Sequence, residues 1–295
     1  MPADQPAERT LSEENDARPL VLLTGAAGGV GTLMRELLPA HGYRLRNLDM
    51  LPVDGDPDAV VADLADREAL REAVRGTDAI LHLAGISVES TFEKILRANI
   101  EGTYRLYEAA REEGVRRIVF ASSNHAVGAT EWPAPGEPPI PVDAPHRPDT
   151  FYGLSKCFGE DLAQLYWELH GIETVSIRIG SCFPKPTSVR MLSVWMSPAD
   201  GARLFDAALS APNVGHTVVH GSSANTRTVW DLTSARALGY EPRDDSEPFA
   251  AELIAQHGEL DTSRPEQARL GGHFMTDPPL WREPQATTHV AGATP

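Results

Sequence analysis

From Leu20 onward the chain alternates short apolar runs with longer stretches in which apolar residues recur every three or four positions. The run "LVLLT" (20–24) predicts a strand, followed by a glycine turn and a helix through "TLMRELLPAHG". "RLRNLD" (44–49), "AVVAD" (59–63) and "AILHLAG" (79–85) predict further strands, with a helix in "DREALREAVRG" before the last of them. A longer helix at 92–114 leads to the strand "RIVFASS" (117–123). The amphipathic "FYGLSKCFGEDLAQLYWELHG" then leads to the strand "ETVSIRI". Strands without a polar face, alternating with helices, predict an α/β fold: a Rossmann-type doubly wound parallel sheet. After Ile179 the order weakens to a loop-like "GSCFPKPTSVRMLSVWMSPAD", a helix at about 199–210, a short strand "TVVHG", and a helix in "TVWDLTSARALGYEP". Gly239 and Pro242 are stop signals for that last helix. The expected division is a disordered tail at 1–18, a Rossmann domain at 19–180, a small C-terminal substrate-capping region with interleaved elements at 181–283, and a flexible tail at 284–295.

Seven prolines in 132–148, "WPAPGEPPIPVDAPHRP", would suit an interdomain linker. A helix and a strand still follow, however, so the segment interrupts a sheet that has not ended. A stiff loop at the carboxyl end of a strand shapes a site. The first 18 residues lack the apolar stretch of a secretion signal, and no apolar run reaches membrane-spanning length. Two cysteines without paired spacing fit a reducing cytoplasm, and the histidines show no metal-ligand spacing, so no protein-held metal is expected. The formal net charge of −16 disfavours nucleic acid and anionic membrane as partners. It also means that an anionic small molecule would need a local cation.

Candidate chemistry begins at "LLTGAAGGVG", where Gly25, Gly28 and Gly31 stand at G-x-x-G-x-x-G spacing between strand and helix. Bare backbone there lets amides at a helix N-terminus approach a pyrophosphate. Asp49 closes the next strand, where a carboxylate binds ribose hydroxyls and repels a 2′-phosphate, so NAD is expected rather than NADP. Asp63, ending the third strand, either contacts the adenine or is an ordinary turn aspartate.

Of 26 basic residues only three are lysine: Lys94, Lys156 and Lys185. Lys156 follows Tyr152 by four residues, which puts both on one helix face. This is either a surface contact or chemistry. A tyrosine with a pKa of about 10 is a poor base at neutral pH, and a fixed cation beside it favours the phenolate. A compact ammonium also suits a ribose hydroxyl better than a planar guanidinium does.

"TGAAGGVG", "ILHLAG", "RIVFASSNHAVG" and "YGLSK" together resemble the extended short-chain dehydrogenase/reductase family over roughly residues 20–242. That resemblance implies Tyr152, Lys156 and Ser123 as the catalytic set. For the cofactor it implies Gly25, Gly28, Gly29, Val30, Gly31, Asp49, Asp63, Leu64, Leu83, Ala84, Gly85, Ile86, Asn99 and Lys156, with Ile86, Ile179 and Cys182 along the nicotinamide. "HLAGISVE", "FASSNHAVG" and "RIGSC…RMLSVW" are similar to the family's bacterial uronate dehydrogenases. The implied substrate is then a uronic acid, oxidised at C1, with Ser87, Ser123, Asn124, His125, Tyr152 and Ser181 on its hydroxyls and carboxylate. Arg190 matches the branch's carboxylate-binding arginine. It also meets the charge criterion, because a guanidinium forks both oxygens of a carboxylate. Arg178, inside a strand, is read as structural. The resemblance further implies a homo-oligomer joined through the helices 92–114 and 151–170. The alternatives are a nucleotide-sugar epimerase or dehydratase, for which the segment after 180 is short, and a non-catalytic NAD-binding sensor, which would not need both Tyr152 and Lys156.

Overall fold

The computed structural model describes residues 17–276. The expected tails at 1–18 and 284–295 lie almost wholly outside the described residues. Seven parallel strands form one sheet: β1 (Leu20–Thr24), β2 (Arg44–Asp49), β3 (Val60–Val61), β4 (Ala79–His82), β5 (Arg117–Ser123), β6 (Glu173–Ile179) and, after a separate pair β7 (Ser181–Cys182) and β8 (Trp195–Met196), β9 (His216–Gly221). The spatial order is β3-β2-β1-β4-β5-β6-β9, so the chain reverses its direction of travel at β1. Such a switch point opens a crevice at the carboxyl ends of the strands.

The apolar runs are explained by burial on both faces. Val21 and Leu23 join Val119, Val175, Ile177 and Val219 under the helices α1 (Gly29–Leu37) and, later in the chain, Pro198–Ser210, whose Met34, Leu204 and Phe205 are fully buried. Leu22, Ile80 and Ile118 point the other way, beneath α2 (Arg67–Val74), the helix Gly102–Glu113 and the helix Phe151–His170. Alternate residues of one strand thus feed two cores.

The long expected helix at 92–114 is broken into Phe92–Ile95 and Gly102–Glu113 by a π-helical turn at Leu96–Glu101, which carries Asn99 inward. The Rossmann layer also extends past residue 180, because β9 pairs along β6 from Thr174↔His216 to Ile179↔Gly221. "TVWDLTSARALGYEP" is helical only at Thr233–Ala237. Its first residues are drawn into a bridge between Ile140 and Trp230, where Ile140 N donates to Val229 O and Asp231 N to Ile140 O. The fully buried Trp230 anchors that bridge. Gly239, at φ +92°, turns the chain after the short helix.

The proline-rich segment is pinned at its middle and near its carboxyl end. Besides that bridge, Arg147 N donates to Ala126 O, and His146 Nε2 pairs at 2.8 Å with Glu160 Oε2 on the helix Phe151–His170. Glu160 is buried and also receives Ser122 Oγ, Arg178 Nε and Arg178 Nη2. Burial alone would push its carboxyl up, but the bonds from His146, Arg178 and Ser122 bring it down to about 2. Arg178 is therefore structural.

The Glu160 bond raises the pKa of His146 above the ordinary imidazole value of 6.5. Stability from this tie is full below that value and is lost as pH rises through the higher folded one. His146→Ala should therefore lower the melting temperature more near pH 6 than near pH 9, checked by thermal unfolding of both proteins at the two pH values.

Candidate active site

The glycine loop fits a dinucleotide. Gly25 has φ +75°, and a Cβ there would come within 2.8 Å of the Leu83–Ala84 backbone. A Cβ on Gly31 would lie 2.1 Å from Gly25 O, so the first turn of α1 closes on the strand end as only glycine allows. Gly28 is the N-cap, with no side chain capping the helix and no acidic residue in its first turn, which leaves the amides around Gly29, Val30 and Gly31 for an anion. The place of a Cβ at Gly29 has nothing within 4 Å. Asp49 leans over the same loop. Its Oδ2 accepts from Ala27 N at 3.0 Å and its Oδ1 from Leu51 N, while its remaining lone pairs suit ribose hydroxyls.

Several other expected cofactor contacts have prior engagements. Asn99 Oδ1 accepts from Ile86 N at 2.8 Å, and its Nδ2 donates to Ile86 O and to Ser155 Oγ. It clamps the backbone of the Gly85–Ile86 turn to the helix Phe151–His170. Asp63 accepts from Ala65 N and pairs with Arg97 at 2.8 Å, the arrangement of a turn aspartate. Leu64 packs against Gly102. Cys182 turns its sulfur into the core beside Met34 and Met196, and burial pushes the thiol up to about 12. Ile179, by contrast, ends β6 level with Ser123 and Gly221.

Tyr152 and Lys156 occupy one face of the helix Phe151–His170, which lies so close to β5 that a Cβ on Gly159 would meet the Phe120 ring at 2.3 Å. Thr150 Oγ1 caps this helix through Gly153 N at 3.0 Å. Glu89, two residues after the exposed Ser87, accepts from Phe151 N and Tyr152 N. Lys156 Nζ donates to Ala121 O at 2.8 Å and sits 5.4 Å from the centre of the Tyr152 ring. Burial raises Tyr152 to about 12, against the lowering effect of the Ser123 hydroxyl, and burial pulls Lys156 down to about 8, opposed by Glu160. In the protein alone the tyrosine is raised by desolvation and, less, by Asp149, and the group that lowers it is Ser123 rather than the expected lysine. Both side chains stand in the uncharged direction from their ordinary values.

Beyond the pair, Ser123 Oγ accepts from His125 N at the start of the turn Asn124–Val127. Asn124 Oδ1 and Ser181 Oγ are buried without partners among the described residues, as expected of groups that await a polar ligand. Arg190 N-caps the short helix Met191–Val194, and its Nε and Nη2 both donate to Leu270 O. No carboxylate pairs with it among the described residues. Burial draws this guanidinium down to about 10, with Asp149 acting in the opposite sense. Leu270 O also takes Asn124 Nδ2, and Phe274 stacks on His125, so residues 270–274 wall the cleft. Sequence reasoning missed Glu89, Asp149, Leu270 and Phe274. A carbonyl leaves no trace in sequence, Glu89 closes the matched "HLAGISVE" without a role being read from it, and Asp149 and Phe274 lie outside the matched motifs.

With this geometry in hand, the comparisons with known proteins are specific. Residues 21–192 match the family described as "NAD dependent epimerase/dehydratase family". Uronate dehydrogenase of Pseudomonas syringae pv. tomato is 49% identical over 264 residues, covering 88% of this chain and 94% of that protein. Its counterpart in Pseudomonas putida is 47% identical, covering 88% and 97%. A crystal structure of a uronate dehydrogenase mutant from Agrobacterium tumefaciens, complexed with NAD, superposes with a TM-score of 0.82 at 44% identity, covering 89% of this chain and 98% of that one. The chain belongs to the NAD dependent epimerase/dehydratase family, within the extended short-chain dehydrogenases/reductases, and stands among its uronate dehydrogenases as an NAD-dependent oxidoreductase acting on a CH–OH group.

Proposed function

We propose that the protein oxidises D-galacturonate or D-glucuronate at C1 to the aldarolactone, which then opens to the aldaric acid in solution. The observation that carries this reading is Arg190: a guanidinium held in the cleft by Leu270 O, with no carboxylate partner among the described residues. With Nε and one Nη2 hydrogen on that carbonyl, Nη1 and the other Nη2 hydrogen remain to fork a substrate carboxylate. In a protein of net charge −16, such a local cation is what an anionic sugar requires.

Ser123 and Tyr152 bind the C1 hydroxyl, and Tyr152 takes its proton. Ser181, Asn124, His125 and Ser87 hold the remaining oxygens. NAD, when bound on Asp49 and the glycine loop, supplies the acceptor for the C1 hydride. Lys156 is not the base. It is the cation that favours the phenolate, held in place by Ala121 O. Because burial raises Tyr152 to about 12, the phenolate depends on the Ser123 hydroxyl and on positive charge close to the ring. The ring of the sugar stays closed, so no covalent intermediate and no thiol are needed. The exposed Phe92, Leu96, Leu154 and Leu165 on the helices flanking β5 support a homo-oligomer joined there. Among the described residues no helix is long and apolar enough to cross a membrane.

NADH should appear when the protein is mixed with NAD and either uronate, and not with galactose or glucose. Absence of NADH with both uronates would sink the reading. Arg190→Ala should raise KM for the uronate by about tenfold or more, and a normal KM would remove Arg190 from the carboxylate. Tyr152→Phe should bind NAD as the unaltered protein does and turn over at least about a hundredfold more slowly, measured by NADH formation at saturating substrate.

A further inference from the structure

Asp149 lies outside every motif that marked the site, yet it is among the most enclosed carboxylates near it, with a side-chain exposure of 0%. Three glycines make room for it. A Cβ on Gly271 would fall 1.8 Å from Asp149 Oδ2, one on Gly128 would fall 2.0 Å from the same oxygen, and one on Gly153 would fall 2.9 Å from Oδ1. Gly271 N donates to Gly128 O at 2.9 Å, so two of the three are tied to one another across the carboxylate. A buried carboxylate must find donors. Asp149 finds the Thr150 hydroxyl on Oδ1 at 2.9 Å and His125 Nδ1 on Oδ2 at 2.7 Å. Among the described residues no arginine or lysine hydrogen-bonds to it. The charge of Arg190 is nonetheless near enough to be held up by it, and Tyr152 is also within its field.

The His125 ring is fixed on its other sides too. Its face stacks on Phe274 with centroids 4.1 Å apart and planes at 24°, and it meets the Tyr152 ring edge-on at 5.5 Å and 64°. Nε2 has no protein partner among the described residues. An ionised carboxylate only accepts, so at 2.7 Å the proton of a neutral imidazole belongs on Nδ1, and the lone pair is left on Nε2. A proton on Nε2 instead would set two lone pairs against each other and deprive the buried carboxylate of one of its two donors.

We propose that Asp149 is a positioning residue: it fixes His125 as the Nδ1–H tautomer, so that Nε2 meets the substrate as a hydrogen-bond acceptor and selects a sugar hydroxyl. The inference deepens the uronate reading and rests on it. Lys156 and Arg190 can only donate, and the serines can do either. His125 Nε2 and Asn124 Oδ1 are the groups that demand a hydrogen from a ligand. A uronate carboxylate has none to give and is turned towards Arg190, while a ring hydroxyl is turned towards His125. One sugar orientation is thereby selected by polarity rather than by shape.

The test begins with a long-range proton–nitrogen correlation spectrum of the ¹⁵N-labelled protein near neutral pH. The expected result for His125 is a protonated Nδ1 and a bare Nε2. An Nε2–H tautomer, or protons on both nitrogens, overturns the proposal. In Asp149→Asn the amide can turn its NH₂ to Nδ1, which moves the ring proton to Nε2 and converts the acceptor into a donor. KM for the uronate should then rise about tenfold or more while kcat stays within about threefold and NADH binding, followed by fluorescence, is unchanged. An unchanged KM, or equal loss in kcat and NADH binding, overturns the proposal. If the variant does not fold, the spectrum of the unaltered protein decides alone. That spectrum needs no substrate. A protein that shows the Nδ1–H tautomer but turns over no uronate therefore refutes the substrate and leaves the tautomer standing.

Discussion

One buried carboxylate ties together the parts that carry the chemistry. Glu160 sits one helical turn beyond Lys156 and accepts from Ser122 on β5, from Arg178 on β6 and from His146 on the proline-rich loop. Removing one partner from such an arrangement leaves a charge stranded in the interior, at a cost of roughly 3–5 kcal/mol. The ion pair is thus poor at adding stability but effective at forbidding other arrangements. The helix cannot slide along the sheet without breaking it, so Tyr152 and Lys156 keep their register against Ser123. The same bond to Ser122 holds the residue next to Ser123, and the loop that covers this end of the sheet is fixed by the same two oxygens.

The pair proposed for catalysis, Tyr152 and Lys156, illustrates the tension that such burial creates. Enclosure that excludes water also penalises charge, which raises Tyr152 and lowers Lys156 together. The protein alone therefore holds both groups towards neutrality, and its carbonyl at Ala121 and hydroxyl at Ser123 supply only part of what the charged forms need. The glycine contacts that let backbone close on backbone around Gly25 and Gly31 serve the other requirement, a close seat for the cofactor that brings positive charge into the cleft.

Much of the fold was legible because it is local. β1, β2, β5 and β6 coincide with apolar runs whose alternate residues fill two cores, and the spacing of Tyr152 and Lys156 places both on one face without reference to the rest of the chain. The failures are all long-range. Nothing in "TVWDLTSARALGYEP" announces that its first residues pair with Ile140, ninety positions earlier, rather than continue a helix. The bonds of Asn99 to Ile86 and Ser155 were likewise not legible, because only the π-turn brings them into reach. Asp63 could be read either way until Arg97 met it. Asp149 and its three glycines come from three separate stretches, at 128, 149–153 and 271, so no spacing rule joins them all.

The carbonyl of Leu270 reaches back across 80 residues to Arg190 and 146 to Asn124. A chain emerging from the ribosome can therefore assemble its sheet, its glycine loop and its tyrosine–lysine helix long before its sugar pocket has a far wall. The residues of the glycine loop are made first and those of the cleft's far wall last.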